Sequence, residues 1–306
     1  MRYTSLIARL LASAALSAAA SAASAKTLDV VASFTVLADV VQQVGGDHVR
    51  VKSLVPANGD PHEFEPSPND AKALKSADAT FVSGEGLESW FQRLAKAAGY
   101  NGKPVVVSTG IKTRRMEEDG KTVTDPHVWN SPVNVIVWAN NIEKALAAAD
   151  PEDAAAFKAN AEAYVTQLRE LDAYAREKID ATPKDRRKIL TSHDAFGYFG
   201  AEYGVSLLSP LGVSTETEAS AADVAKLINQ IKKEGVKAYF FENSNDPRLV
   251  KQIAEATGAE PGGELYVESL STADGPAPTY VKMFRYNVDK IADALSKQTS
   301  ASATTR

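Results

Sequence analysis

The stretch 28–51 reads LDVVASFTVLADVVQQVGGDHVRV. A short run of β-branched and apolar residues, 28–32, is followed by an amphipathic stretch at 35–44 and by a second β-branched run at 48–51. Short strands that alternate with helices in this way are typical of βαβ units with a parallel sheet. This stretch therefore predicts an α/β fold.

The same alternation continues on both sides of the middle of the chain. The pattern predicts further strands at 79–82, 105–107, 188–191, 206–208, 238–241 and 265–267. It predicts helices between them at 67–77, 87–98, 195–203, 221–234, 247–257 and 278–296. Two α/β lobes follow, at 26–150 and 183–298.

One long helix is predicted between the lobes, at 151–182. The segment contains no Gly, has Pro only at its first position, and is rich in Ala, Glu, Lys, Leu and Arg. Asp150 is suited to cap this helix, and Thr182-Pro183 to end it. A rigid helix of roughly 45 Å predicts limited motion between the lobes. The small, polar tail 299–306 is predicted to be disordered.

Residues 1–25 have the composition of a secretory signal peptide. Arg2 and Arg9 lie within an otherwise apolar, Ala- and Ser-rich stretch that ends Ala-Ser-Ala at Ala25. This pattern predicts export and cleavage after Ala25, and the stretch is too weakly apolar for a membrane anchor. The bacterial periplasm is the expected compartment.

Charge and cysteine content exclude several classes of function. The 306-residue chain has a net charge of −5, which does not favour binding to nucleic acid. It contains no cysteine, so disulfides, thiolate metal sites, catalytic thiols and a lipid-modified cysteine are excluded. The mature protein is therefore expected to be soluble and monomeric.

The pattern Asp-Pro-His-x-aromatic occurs twice, as DPHEF at 60–64 and DPHVW at 125–129, and each copy runs into Ser-Pro. The repeat contains His62 and His127, two of only four histidines. Pro fixes φ and restricts the residue before it, so each imidazole is held on a stiff turn before a helix start. A single such histidine would be interpreted as an ordinary loop residue. Two in a repeated rigid motif indicate ligands.

A third histidine, His193, occurs in LTSHDAF at 190–196, where an apolar run ends against polar residues, whereas His48 has no comparable setting. Ligands of open α/β sheets bind at the carboxyl ends of the strands, so His62, His127 and His193 are expected to converge on the cleft between the lobes. Imidazole is the commonest zinc ligand in proteins, and three imidazoles with one carboxylate complete a tetrahedral site.

Four blocks of the chain, at 60–68, 125–129, 192–199 and 263–271, resemble the metal-binding solute-binding proteins of zinc and manganese ABC transporters, the TroA/ZnuA-like family. The resemblance covers residues 28–295. It implies a C-clamp of two pseudo-symmetric lobes joined by a backbone helix. It also implies a receptor that delivers metal to a permease in the inner membrane, with a periplasmic metallochaperone as a further partner.

Carried over residue by residue, the resemblance makes His62, His127 and His193 metal ligands and aligns Glu268 with the carboxylate ligand. Relatives usually have Asp at that position, and Glu is one methylene longer. Its extra length allows direct binding only if the backbone retreats. We expect Glu268 to bind the metal directly, the alternatives being a water in its place or a salt bridge at a strand end.

Three further carboxylates, Glu242, Asp194 and Glu216, are weaker ligand candidates, and Asp194 is better explained as a helix-start residue or as a partner of a ligand. The segment 112–124 lacks the histidines of the loop found in several zinc-specific relatives. Auxiliary metal gathering by this loop is therefore not expected. The charge run at 114–121 within it is interpreted as a solvated loop, whose length and position near His127 leave room for gating.

Manganese-selective relatives tend to have a carboxylate where this chain has His193. Because Mn²⁺ prefers oxygen ligands and imidazole suits Zn²⁺, one Zn²⁺ per chain is predicted, with a manganese or iron receptor as the alternative.

Two other functions compete with a zinc receptor. Three histidines with an open position also describe a hydrolytic zinc centre, but the chain contains no H-E-x-x-H and no G-x-S-x-G motif. A surface adhesin with a structural metal is the other, and the lack of a lipid or membrane anchor argues against it. We therefore expect no enzymatic activity.

Overall fold

A computed structural model describes residues 27–118 and 121–303, so the predicted signal peptide lies outside the described residues. The first half forms a parallel sheet of four strands in the order β2-β1-β3-β4. Its strands are β1 (Leu28–Ala32), β2 (Val49–Ser53), β3 (Ala79–Val82) and β4 (Val105–Val106), and its helices are α1 (Thr35–Gly45), α2 (Pro68–Ser76) and α3 (Phe91–Ala98).

The middle of the chain contains a hairpin and two helices. Strands β5 (Arg115–Glu118) and β6 (Lys121–Thr124) pair antiparallel. They are followed by α4 (Pro132–Ala149) and then by the long α5 (Ala154–Asp180).

The second half repeats the topology of the first. Its sheet has the order β10-β9-β7-β8, so that in each half the first strand lies between the second and the third, and the fourth lies outside the third. The strands are β7 (Lys188–Leu190), β8 (Ser206–Leu208), β9 (Ala238–Glu242) and β10 (Glu260–Leu265), and the helices are α6 (Gly197–Tyr203), α7 (Ala221–Glu234), α8 (Arg248–Thr257) and α9 (Tyr280–Ala303). The predicted α/β class with two pseudo-symmetric parallel sheets is confirmed.

Local sequence explains where key helices begin. Ser67 accepts a hydrogen bond from the backbone N–H of Asp70, Asp70 accepts one from Ser67 in return, and Pro68 occupies the first turn of α2. Ser220 caps α7 in a similar way, and Gly235, at φ 69°, ends it. Among the described helices, none combines the length and apolar character needed to cross a bilayer.

A continuous apolar core joins the two halves. Phe34 packs against Trp129 with ring centroids 4.9 Å apart, and Trp129 against Trp138 at 6.1 Å. The indole N–H of Trp129 donates to the carbonyl of Val267 at 2.7 Å, and the hydroxyl of Tyr280 donates to the carbonyl of Trp129 at 2.8 Å. Buried aromatic contacts and hydrogen bonds therefore connect the DPHVW segment to the second half.

Four predicted elements, three helices and one strand, differ from the structure by three residues or more at a boundary. Helix α5 begins at Ala154 rather than at 151, because the N–H of Asp150 bonds back to Leu146 and closes α4 instead of capping α5. Helix α3 begins at Phe91, after two turns at 85–90. Helix α9 runs to Ala303, through part of the predicted disordered tail, since no Gly or Pro interrupts it; residues 304–306 lie outside the described residues.

The last strand, β10, covers Glu260–Leu265 instead of 265–267. Its sequence, EPGGEL, has low strand propensity, but it pairs in parallel with β9 at the edge of the sheet and has an irregularity between Pro261 and Gly263. Pairing with a neighbouring strand overrides local composition here. As a result, Glu268 lies in the loop that follows the strand.

Candidate metal centre

The four predicted ligands come together at the carboxyl ends of strands from both halves. His62 lies in the loop between β2 and α2, His127 follows β6, His193 follows β7, and Glu268 follows β10. His62 is 6% exposed and the other three are fully buried. One nitrogen or oxygen from each side chain lies within 4.8 Å of all the others, which makes this His₃Glu cluster a candidate metal site.

The distances within the cluster are those of a small, closed coordination shell. Oε1 of Glu268 lies 2.8 Å from Nε2 of His62, 3.1 Å from that of His127 and 3.3 Å from that of His193. Nε2 of His127 lies 3.2 Å from that of His62 and 3.3 Å from that of His193. Two ligands of a tetrahedral zinc ion, with bonds of about 2.0–2.1 Å, lie about 3.3 Å apart. The five distances, 2.8–3.3 Å, are therefore close to those between the ligand atoms of such a site.

The aspartate of each Asp-Pro-His repeat shapes the turn that carries the histidine. Oδ1 of Asp60 accepts from the backbone N–H of His62 at 2.7 Å, and Oδ1 of Asp125 accepts from that of His127 at 3.0 Å. Both are turns in which an aspartate bonds to the backbone two residues on. The indole of Trp90 fixes the first turn further by donating to the carbonyl of Pro61 at 2.8 Å.

Asp125 also orients the ring of His127. Its Oδ1 lies 3.0 Å from Nδ1 of His127, while its Oδ2 accepts from Nη1 of Arg114 at 2.9 Å. Gly197 lies against this pair, since a Cβ there would lie 1.6 Å from Arg114 Nη1 and 2.4 Å from Asp125 Oδ2. The absence of a side chain at the start of α6 therefore allows the base of the β5–β6 hairpin to pack closely on the second half.

Of the weaker ligand candidates, the structure places none in the cluster. Glu242 contacts the outer nitrogen of His193, with Oε2 2.5 Å from Nδ1. Asp194 is not in the cluster, and Glu216 accepts a hydrogen bond from Ser89 at 3.2 Å. His48 is paired with Asp153 instead, at 2.7 Å.

The role of Glu242 beside His193 was missed by the sequence analysis. Its signal was available, because Glu242 ends the run AYFFE at 238–242 and carboxyl ends of adjacent parallel strands meet at one edge of a sheet.

The charges of the cluster are strongly coupled. Burial by itself raises the pKa of Glu268, but the facing His193 and His62 outweigh it and hold that pKa well below 4.5. Burial likewise lowers the pKa of His193, but Glu242 and Glu268 raise it well above 6.5. The pKa of His127 is raised against burial by Asp125 and Glu268. The facing groups therefore favour the ionised form of Glu268 and the protonated forms of His127 and His193.

Comparison with known proteins assigns the family. The family model for ZnuA, described as the periplasmic component A of the zinc-uptake complex, matches residues 30–294. The chain belongs to the ZnuA family. ZnuA-family proteins are metal-binding, substrate-binding receptors of ABC transporters and work with membrane permeases, which confirms the resemblance seen in the sequence. They are transport receptors and not enzymes, in contrast to the hydrolase considered above.

Relatives within the ZnuA family are named for different metals. The iron-binding protein YfeA of Yersinia pestis is 33% identical over 269 residues, 88% of this chain and 86% of YfeA. The manganese ABC transporter substrate-binding lipoprotein PsaA of Streptococcus mitis is 33% identical over 283 residues, 90% of this chain and 92% of PsaA. The structure of the periplasmic zinc binding protein TroA of Treponema pallidum aligns with a TM-score of 0.83 and 31% identity, covering 88% of this chain and 99% of TroA. Membership of the family therefore establishes metal binding without identifying the metal.

Proposed function

We propose that this protein is a zinc receptor that captures one Zn²⁺ in the cleft between its two lobes and delivers it to an ABC importer. His62, His127, His193 and Glu268 are the proposed ligands. The observation that carries the proposal is the buried set of three imidazole Nε2 atoms and one carboxylate oxygen. The oxygen lies 2.8–3.3 Å from each nitrogen, and Nε2 of His127 lies 3.2 and 3.3 Å from the other two nitrogens. This spacing suits the short bonds and tetrahedral preference of zinc.

The composition of the cluster favours zinc over manganese. Three of the four proposed ligand atoms are imidazole nitrogens, and only Glu268 supplies oxygen. Imidazole suits Zn²⁺, whereas Mn²⁺ is a harder ion that prefers carboxylate, carbonyl and water oxygens. The family model is described for zinc uptake and TroA is named a zinc binding protein, and both names support the same choice.

Glu268 is proposed as a direct ligand rather than as a partner of a bound water. Its Oε1 already lies within 3.3 Å of all three Nε2 atoms, which leaves no room for a water between this oxygen and a shared ion. Its Oε2 lies 3.5 Å from the hydroxyl of Ser244, on the far side of the carboxylate. One oxygen facing the imidazoles and one facing Ser244 support monodentate binding.

The place of action is proposed from the N-terminal sequence and the relatives. Residues 1–25 have the pattern of a signal peptide cleaved after Ala25, TroA is named a periplasmic protein, and PsaA is named a lipoprotein of an ABC transporter. We therefore place the protein in the periplasm, where a monomer loaded with zinc meets a permease in the inner membrane.

A manganese or iron receptor is the second candidate, favoured by the names of PsaA and YfeA. Affinity alone does not separate the two candidates, because most nitrogen and oxygen sites bind Zn²⁺ more tightly than Mn²⁺ or Fe²⁺. The metal that the protein carries when it is made in its own compartment is the more direct criterion.

The test combines elemental analysis with competition. Protein exported to the periplasm and purified without an affinity tag should contain about one zinc per chain. After the metal is stripped, titration with Zn²⁺ against a chelator of known strength should show one tight equivalent, and a hundredfold excess of Mn²⁺ should not displace it. Manganese or iron in the purified protein, or weak zinc binding, would contradict the proposal.

A further inference from the structure

Glu242 is a buried carboxylate that touches His193 from behind. It is the last residue of β9, which pairs with β7, and it is 2% exposed. Its Oε1 accepts hydrogen bonds from the backbone N–H groups of Ser192 at 3.0 Å and His193 at 3.2 Å. Its Oε2 lies 2.5 Å from Nδ1 of His193 and accepts from Nδ2 of Asn245 at 2.7 Å.

We propose that Glu242 is the positioning residue that makes His193 a metal ligand, an inference that rests on the proposed function. A carboxylate accepts but does not donate, so it holds the imidazole proton on Nδ1 and leaves the lone pair of Nε2 free. Nε2 then faces the cluster, 3.3 Å from Nε2 of His127 and 3.3 Å from Oε1 of Glu268. Glu242 thus sets both the tautomer and the direction of the ring before the metal arrives.

The surroundings of Glu242 require an acceptor at both of its oxygens. On one side the two backbone N–H groups cannot turn, and on the other the ring of His193 and the amide of Asn245 approach Oε2. A glutamine at 242 keeps the volume but must direct its NH₂ group toward one side. Facing the backbone, it would meet two donors. Facing the ring, it would make Nδ1 an acceptor and move the imidazole proton to Nε2, the nitrogen that zinc needs.

The first measurement compares Glu242→Gln with Glu255→Gln in the full chain. Glu255 lies on an exposed face of α8, so its substitution removes the same charge without touching the cluster. Titration with Zn²⁺ should show an affinity about 10- to 100-fold lower for Glu242→Gln and unchanged for Glu255→Gln. Equal affinities in the two variants, in a protein that binds zinc, would overturn the role of Glu242 and leave the proposed function intact.

The second measurement returns the carboxylate from a different residue. Nδ2 of Asn245 lies 3.2 Å from Nδ1 of His193, so Asn245→Asp places a carboxylate beside the same nitrogen. In the double variant Glu242→Gln/Asn245→Asp, the glutamine oxygen can accept from the backbone while its NH₂ group donates to Asp at 245. Zinc affinity should recover to within a few-fold of wild type. A folded double variant that stays as weak as Glu242→Gln would show that Glu242 acts only on packing.

The tautomer of His193 gives a readout that packing alone does not change. In metal-free wild type at a pH where the ring is neutral, ¹⁵N NMR should show the proton on Nδ1, and in Glu242→Gln on Nε2. A wild-type proton on Nε2 would overturn the inference whether or not the variants fold. If wild type binds no zinc, the proposed function fails, and this measurement still decides the role of Glu242.

Discussion

The hydroxyl of Thr215 donates a hydrogen bond to Oδ2 of Asp60 at 2.7 Å and so joins the two halves beside the candidate metal site. The other oxygen of Asp60 accepts from the backbone N–H of His62. One aspartate therefore holds the turn of a proposed ligand on one side and a loop of the second half on the other. That loop also helps to line a cavity of about 400 Å³ that His62 borders.

Thr215→Val should speed the release of zinc. Valine has a similar shape but cannot donate to Asp60, so the loop of the second half loses its tie to the turn of His62. A hydrogen bond of this kind contributes about 0.5–1.5 kcal/mol, so the dissociation rate should rise several-fold, to about tenfold at most. Stopped-flow transfer of zinc to an excess of chelator measures this rate.

Thr166→Val is the matched control, because Thr166 lies on the exposed face of α5 and its hydroxyl donates to the carbonyl of Glu162 in the same helix. It should leave the rate unchanged. Equal release rates in the two variants would mean that the contact between Thr215 and Asp60 does not limit the escape of the metal.

Replacing any one of His62, His127 and His193 by alanine should weaken zinc binding by roughly a hundredfold or more. A structural zinc site is worth about 10–16 kcal/mol, and each variant removes one of four ligands. Competition titration measures the loss. His48→Ala is the matched control, since His48 pairs with Asp153 away from the cluster. A comparable loss of affinity in His48→Ala would contradict the assignment of ligands.

Glu268→Gln should lower zinc affinity distinctly and Mn²⁺ affinity even more. The change keeps the shape but removes the negative charge that offsets the cation among neutral imidazoles, and Mn²⁺ depends more on oxygen ligands. Paired titrations with the two ions measure the effect. A crystal structure of the zinc-bound protein should place Oε1 within about 2.2 Å of the ion. Unchanged binding in the variant would favour a water as the fourth ligand.

The stabilisation that zinc provides should grow as the pH rises. Burial by itself lowers the pKa of both His193 and His127. The facing carboxylates outweigh it, because Glu242 and Glu268 raise the pKa of His193, and Asp125 and Glu268 raise that of His127. Stability from these two imidazolium groups is fully present in the metal-free protein below about pH 6.5 and is lost as the pH rises through their raised pKa values. Zinc binds the imidazole nitrogens only when they carry no proton, so the stabilisation by zinc increases as the pH rises.

Thermal melts with and without saturating Zn²⁺ at about pH 5.5 and 7.5 test this prediction. The metal-free midpoint should be lower at about pH 7.5 than at about pH 5.5, while the shift caused by zinc should be larger at the higher pH. Glu268 has the opposite pH dependence. Because its pKa is lowered, its stabilising contribution is lost only as the pH falls through that lowered value. A shift by zinc that is equal at both pH values would exclude histidine ligands.

Local patterns predicted the elements whose signals are complete within a short window. The run 221–234 has a serine cap, an apolar stripe and a glycine end, and α7 begins and ends at the predicted residues. The two Asp-Pro-His repeats marked His62 and His127, because proline and the aspartate side chain shape each turn within three residues. Edge strand β10 was misplaced because its EPGGEL sequence forms a strand only through pairing with β9.

Periodicity, caps and rigid turns are local properties of the chain, and from them the amino-acid sequence predicted the fold class and the three histidines, while the family resemblance added Glu268. It took the tertiary structure to show that Glu242 contacts the outer nitrogen of His193 instead of joining the cluster. Glu268 meets His127 across 141 positions of sequence, and Glu242 meets His193 across 49. Those contacts depend on how two parallel sheets align their carboxyl ends across a shared core, and no local pattern encodes that alignment.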